Sequence, residues 1–128
     1  MRKLSEHFTE SELTCKCGCG SCEVDPALLT LTEKVRSVLG DIPMVVTSCV
    51  RCPEHNVRVG GSPNSKHMIG MAMDFYPRGM KISVAYKRIM EAYQYGELPE
   101  LGGIGYYPKQ GFIHIDTFRN GHLRRWHG

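Results

Sequence analysis

Residues 65–76 read SKHMIGMAMDFY and residues 112–116 read FIHID. Both place histidine and aspartate in or beside apolar, strand-like runs. Aspartate is a poor strand residue, and a carboxylate on a half-buried surface needs a partner. Along FIHID, side chains alternate, so Phe112, His114 and Asp116 face one way and Ile113 and Ile115 the other. Along MAMDFY, Ala72, Asp74 and Tyr76 share a face opposite Met71, Met73 and Phe75. If the apolar sets turn toward a core, Asp74 and His114 can be neighbours on adjacent strands. His67, in the loop leading into its strand, can fold over the same spot. Two imidazoles and a carboxylate form a three-ligand zinc set with a fourth position for water, the layout of a catalytic rather than a structural site. The same residues also fit a plainer account: a loop histidine, a hydrogen-bonded core histidine and a solvated aspartate.

For these side chains to meet, the chain must supply a sheet and helices to cover it. Thr9-Glu10-Ser11-Glu12 fits a capping box opening a very short helix. Asp25-Pro26 offers an N-cap and a first-turn proline. Leu28, Leu31, Val35, Val38 and Leu39 follow at helical spacing, and Gly40 is the stop. Residues 43–48 (PMVVTS) read as a buried strand, CPEHNVRVGG as a brief helical turn, and 60–67 as a loop. After the strand 71–76, Ser83 is expected to cap a helix carrying Val84, Ile89, Met90 and Tyr93 and closing at Gly96. Residues 102–107 and 112–116 read as two strands joined by a hairpin turn at 108–111. The pattern predicts one α+β domain over residues 1–128, a small antiparallel sheet with helices packed on one face.

With 128 residues, 41% hydrophobic and 23% charged, the chain can bury a core of its own. Its net charge of +3 is mild, compatible with a polyanionic surface without demanding one. The opening MRKLSEHFTESEL has no apolar signal region, and no run is long enough to span a membrane. Export by another route is therefore expected. The six cysteines are ambiguous. Cys15, Cys17, Cys19 and Cys22 lie in CKCGCGSC, and Cys49 and Cys52 in CVRC. Cys19/Cys22 and Cys49/Cys52 have the spacing that lets two thiolates share a metal ion, so a structural zinc, disulfides and free thiols all stay open. Nucleic-acid binding is not expected, because the basic residues are few and not interleaved with aromatics.

Taken together, S-x-H-x-x-G-x-A-x-D (Ser65, His67, Gly70, Ala72, Asp74) followed by the FIHID strand resembles the zinc D-Ala-D-Ala peptidases, which share their fold with the hedgehog signalling domain. LSEHFTESEL, TSCVRCPEHN, VGG, LGGIGYYPKQGFIHIDT and the terminal LRRW extend the likeness over nearly the whole chain, toward the compact phage and bacterial branch. The resemblance implies that His67, Asp74 and His114 bind zinc and that Ser65 contacts substrate. It puts Arg51 at the position of an arginine that contacts the substrate and the developing oxyanion, a role suited to a preorganised guanidinium.

One departure bears on mechanism. Many of these enzymes carry a glutamate base three residues before the last zinc histidine, where this chain has Gly111. Some group must take a proton from water and pass it to the leaving amine. Asp116 is the candidate nearest His114, with a carboxylate that merely orients the histidine as the alternative role. His122 and His127 are the other candidates. The expectation is a zinc-dependent peptidase acting as a monomer on peptidoglycan stem peptides, as carboxypeptidase or endopeptidase. It would be endolysin-like, waiting in the cytoplasm until released to the wall, or virion-associated. A non-catalytic zinc module for wall binding or virion assembly is the competing expectation, kept open by Gly111.

Overall fold

The computed structural model describes residues 2–20 and 23–128. Along them run α1 (Glu10–Leu13), α2 (Pro26–Val38), β1 (Met44–Ser48), α3 (Pro53–Arg58), a 3-10 turn (Lys66–Ile69), β2 (Ala72–Pro77), α4 (Ile82–Gln94), β3 (Gly103–Tyr107), β4 (Phe112–Asp116) and β5 (Arg124–His127). The class is α+β.

Local chemistry accounts for most boundaries. The Thr9 N–H donates to Glu12 Oε1 at 2.9 Å, closing the capping box of α1. Asp25 Oδ1 accepts the Ala27 N–H at 2.8 Å at the head of α2, and Gly40 ends that helix region with φ 86°. Helix α4 differs from expectation. Its N-cap is Lys81 rather than Ser83, because the Lys81 carbonyl accepts the Val84 and Ala85 N–H groups and closes the first turn through backbone alone. Ser83 lies exposed within that turn. The buried stripe is Ala85, Ile89 and Ala92, while Val84 faces outward. The stretch read as a loop to residue 67 already turns into 3-10 geometry at Lys66.

The sheet has strand order β1-β2-β4-β3-β5. Pairs β1/β2, β2/β4 and β4/β3 are antiparallel, but β5 runs parallel to β3. The sheet is thus mixed rather than wholly antiparallel, and its fifth strand lies beyond residue 116, where the sequence pattern marked no element. The cause is the path of residues 117–123, which cross the start of β3. Gly102 makes the crossing possible, since a Cβ there would stand 2.1 Å from the Phe118 carbonyl oxygen.

Met73, Phe75, Ile104, Ile113 and Ile115 turn to one face and form a single buried cluster with Leu28, Leu31 and Val35 of α2 and Ala85 and Ile89 of α4. Each such side chain contributes roughly 1.5–3 kcal/mol through burial. That apolar face fixes the register, because a one-residue slip would drive Asp74 and His114 into the core. Among the described residues, no helix is long and apolar enough to cross a membrane.

Candidate metal centre

The face opposite the core carries the polar residues in rows. In one row, Ser48 lies against Asp74, Asp74 against His114, His114 against Gly105, and Gly105 against Trp126. Ser48 reaches this row through an irregularity after Val46, which lets it rather than Thr47 oppose Asp74. A second row holds Ala72, Asp116, Gly103 and Arg124. The two bare positions on β3 are what let β5 reach across to β4. A Cβ on Gly105 would lie 2.5 Å from Trp126 Nε1, and one on Gly103 would lie 2.6 Å from Asp116 Oδ2.

Three donor atoms converge between the strands. His67 Nε2 stands 3.1 Å and His114 Nδ1 2.9 Å from the same oxygen, Asp74 Oδ1. The far side of each ring is engaged. His67 Nδ1 is 2.6 Å from the Cys49 carbonyl oxygen, which can only accept, so this nitrogen carries the proton. His114 Nε2 is 2.8 Å from Asp116 Oδ2 and donates to it in the same way. Each ring therefore turns its other nitrogen toward Asp74. These ligand-type atoms all lie within 4.8 Å of one another, on three buried residues. A histidine whose outer N–H is held by a carbonyl or carboxylate is the arrangement metal sites use to fix tautomer and orientation. The donor set fits a divalent cation of the zinc class.

The electrostatics agree with that fit. Burial alone would raise the Asp74 carboxyl, but hydrogen bonds from His114 and His67 outweigh it and hold the group well below the usual carboxylate range. Burial alone would lower the His114 imidazole, yet Asp116 and Asp74 raise it above its ordinary value. Asp116 is opposed by burial too, and His114 and then Arg124 keep it low. Ionised carboxylates thus hold positive charge on this spot, and a cation can take the place of the protons.

Arg51 reaches the same carboxylate from the loop after β1. Its Nη2 lies 3.2 Å from Asp74 Oδ2, Nε donates to Ser48 Oγ at 3.0 Å, and Nη1 donates to Asn56 Oδ1 at 2.9 Å. Asn56 is itself fixed by donating to the Ser62 carbonyl at 2.8 Å. Ser65 Oγ accepts the His67 N–H at 3.2 Å, which caps the 3-10 turn that presents His67. Asp116 is fully buried and engaged on both oxygens: Oδ2 by His114, Oδ1 by Arg124 and by the Phe118 N–H at 3.1 Å. Trp126 stacks obliquely on His114 with ring centroids 5.0 Å apart, and its Nε1–H donates to the Tyr107 hydroxyl at 2.7 Å. An open cleft of about 570 Å³ fronts the centre, with Arg51, Ser65, Lys66, Phe112 and Trp126 among its walls.

The other sequence candidates lie elsewhere. His127 packs its ring against Tyr86 and Tyr106, on the helix side of the sheet. His122 is exposed and is not part of the cleft wall. Gly111 sits in the β3–β4 turn with φ 83°, so the position where many of the enzymes it resembles carry a glutamate is here a turn glycine. Cys15, Cys17, Cys19 and Cys52 gather at one point, whereas Cys49 is buried in the apolar core. Cys22, and with it the Cys19/Cys22 pairing, lies outside the described residues. Ser48, Asn56, Arg124 and Trp126 were not marked by the sequence. The alternation in RRWH is the one signal that places Arg124 and Trp126 on a shared face.

The chain matches the Peptidase M15 family over residues 6–116 and belongs to it. It is 31% identical over 109 residues to the peptidoglycan L,D-endopeptidase MepK of Escherichia coli K12, covering 80% of this chain and 54% of that protein. It is 38% identical over 69 residues to the probable peptidoglycan L,D-endopeptidase MepK of Haemophilus influenzae, covering 54% of this chain and 32% of that one. The chain spans about half the length, or less, of these curated relatives.

Proposed function

We propose that this chain is a zinc-dependent peptidase that hydrolyses a peptide bond beside a D-amino acid in peptidoglycan stem peptides. The observation that carries the reading is the convergence of His67 Nε2, His114 Nδ1 and Asp74 Oδ1 at the floor of an open cleft. Zinc held by those three residues would supply a Lewis acid for the scissile carbonyl and would acidify a water molecule. The relatives' name favours an internal L,D bond over removal of a terminal residue. Arg51, clamped by Ser48 and Asn56, presents a guanidinium beside the centre and stabilises negative charge on the carbonyl oxygen. Ser65, on the cleft wall, contacts the substrate backbone.

Asp116 acts in this reading on His114 and not on the substrate, since both its oxygens are already engaged, by His114 and by Arg124. Asp116→Asn is therefore expected to weaken zinc affinity by roughly ten- to a hundredfold, with activity returning as zinc is added. A loss of about a hundredfold or more that persists at saturating zinc would instead assign proton transfer to Asp116.

Digestion of purified peptidoglycan tests the function itself. The expected result is release of peptide fragments that stops with chelator and resumes with zinc, the fragment masses giving the bond cut. A second reading, a zinc-holding module that binds wall without cutting it, is favoured by one observation. Among the described residues, the cleft wall holds no carboxylate other than Asp74 and Asp116. Wall that is bound but left intact would select that reading.

A further inference from the structure

Away from the cleft, the loop after α1 brings three cysteines up to a fourth on the far side of β1. Cys15 Sγ lies 3.4 Å from Cys17 Sγ and 3.8 Å from Cys52 Sγ, and Cys17 Sγ lies 3.6 Å from Cys52 Sγ. Cys19 completes the group, with all four sulfurs within 4.8 Å of one another. A disulfide would bring two sulfurs to about 2.05 Å, so these are not bonded pairs. Four thiolates set tetrahedrally at about 2.3 Å from one zinc ion stand about 3.8 Å apart. The observed separations match that second geometry.

The local backbone is arranged to suit. Gly18 and Gly20, both at φ 86°, follow Cys17 and Cys19 in a left-handed conformation that side chains disfavour, and they curl the loop around its own sulfurs. Two amides point at sulfur: the Cys52 N–H at Cys15 Sγ and the His55 N–H at Cys52 Sγ, each at 3.4 Å. Such donors stabilise thiolate charge. The Val50 N–H donates to the Leu13 carbonyl at 3.1 Å and draws the two segments together.

We propose that Cys15, Cys17, Cys19 and Cys52 hold a zinc ion of structural type, with all four positions closed by thiolates. The ion would pin residues 15–19 to the segment 49–52. That segment carries Arg51, and its Cys49 carbonyl accepts from His67 Nδ1. The Arg51 N–H also donates to the His67 carbonyl at 3.0 Å. The thiolate site thus acts as a positioning device for the cleft, a consequence that rests on the peptidase reading; the metal site itself does not.

Elemental analysis of protein purified under reducing conditions tests the site. Two zinc ions per chain are expected in the unaltered protein, one in Cys17→Ser or Cys52→Ser, and one in His67→Ala. If the serine variants fail to fold, cobalt can replace zinc in His67→Ala, where an intense thiolate-to-cobalt absorption in the near ultraviolet is expected. A mercurial thiol reagent should release one zinc per chain from the unaltered protein as four thiols react. A zinc count that is the same in Cys17→Ser and Cys52→Ser as in the parent overturns the site. So does a cobalt spectrum without thiolate character, or a disulfide mapped among the four in metal-loaded protein. Failure of the peptidase reading shows elsewhere, as a zinc count that does not fall in His67→Ala or as undigested wall.

Discussion

His67→Ala is expected to empty the cleft of its metal and to reduce peptidoglycan digestion to the level seen with chelator. The imidazole is buried, supplies Nε2 to the centre, and is held from behind by the Cys49 carbonyl at 2.6 Å. Its loss leaves a two-ligand set, short of the three protein ligands a catalytic zinc uses. It also leaves Asp74 with one imidazole instead of two. Metal analysis read alongside the thermal melt checks the result, because a variant that keeps its fold but loses one zinc isolates the ligand role. Undiminished zinc and digestion in a folded His67→Ala protein would remove the ligand assignment.

Arg51→Ala is expected to lower kcat by about 10²–10³-fold, the typical cost of losing one preorganised oxyanion donor. The zinc count should stay unchanged. Arg51→Lys should not restore the rate. A single ammonium cannot bond Ser48, Asn56 and Asp74 together as the guanidinium fork does at 3.0, 2.9 and 3.2 Å. The discriminating measurement is the rate across a zinc titration. If Arg51 only steadies Asp74, the deficit closes as zinc rises; if it meets the substrate, the deficit persists at saturation. Recovery at high zinc would reduce Arg51 to a brace for a ligand.

The site residues that were legible in the sequence are those whose surroundings repeat with a clear period. Alternation in MAMDFY and FIHID placed Asp74 and His114 on one face, and the structure pairs them directly. Asp25-Pro26 and Gly40 bounded α2 because caps act locally. What stayed hidden depends on contacts between distant segments. Arg124 and Trp126 belong to a four-residue edge strand with one neighbour, too short and too exposed to show a hydrophobic pattern. The meeting of Cys52 with Cys15 and Cys17 was hidden for a similar reason. Cys52 meets Cys15 and Cys17 because the chain folds the 49–52 segment against residue 13, whereas Cys49, three residues earlier, points into the core. Ser83 offered a capping side chain where the backbone at Lys81 needed none.

The placement of β5 has a consequence for hydrogen exchange. A short strand at a sheet edge opens at lower free-energy cost than strands paired on both sides. When β5 opens, Asp116 loses Arg124 and keeps its buried charge, and His114 loses the indole lying over it. The central strands can remain closed and protected throughout such an event, since β2 and β4 are paired on both sides. Amide protection measured over the whole sheet would therefore overstate how long the centre stays intact. The lifetime of the arrangement around His114 is set by the edge strand, not by the core beneath it.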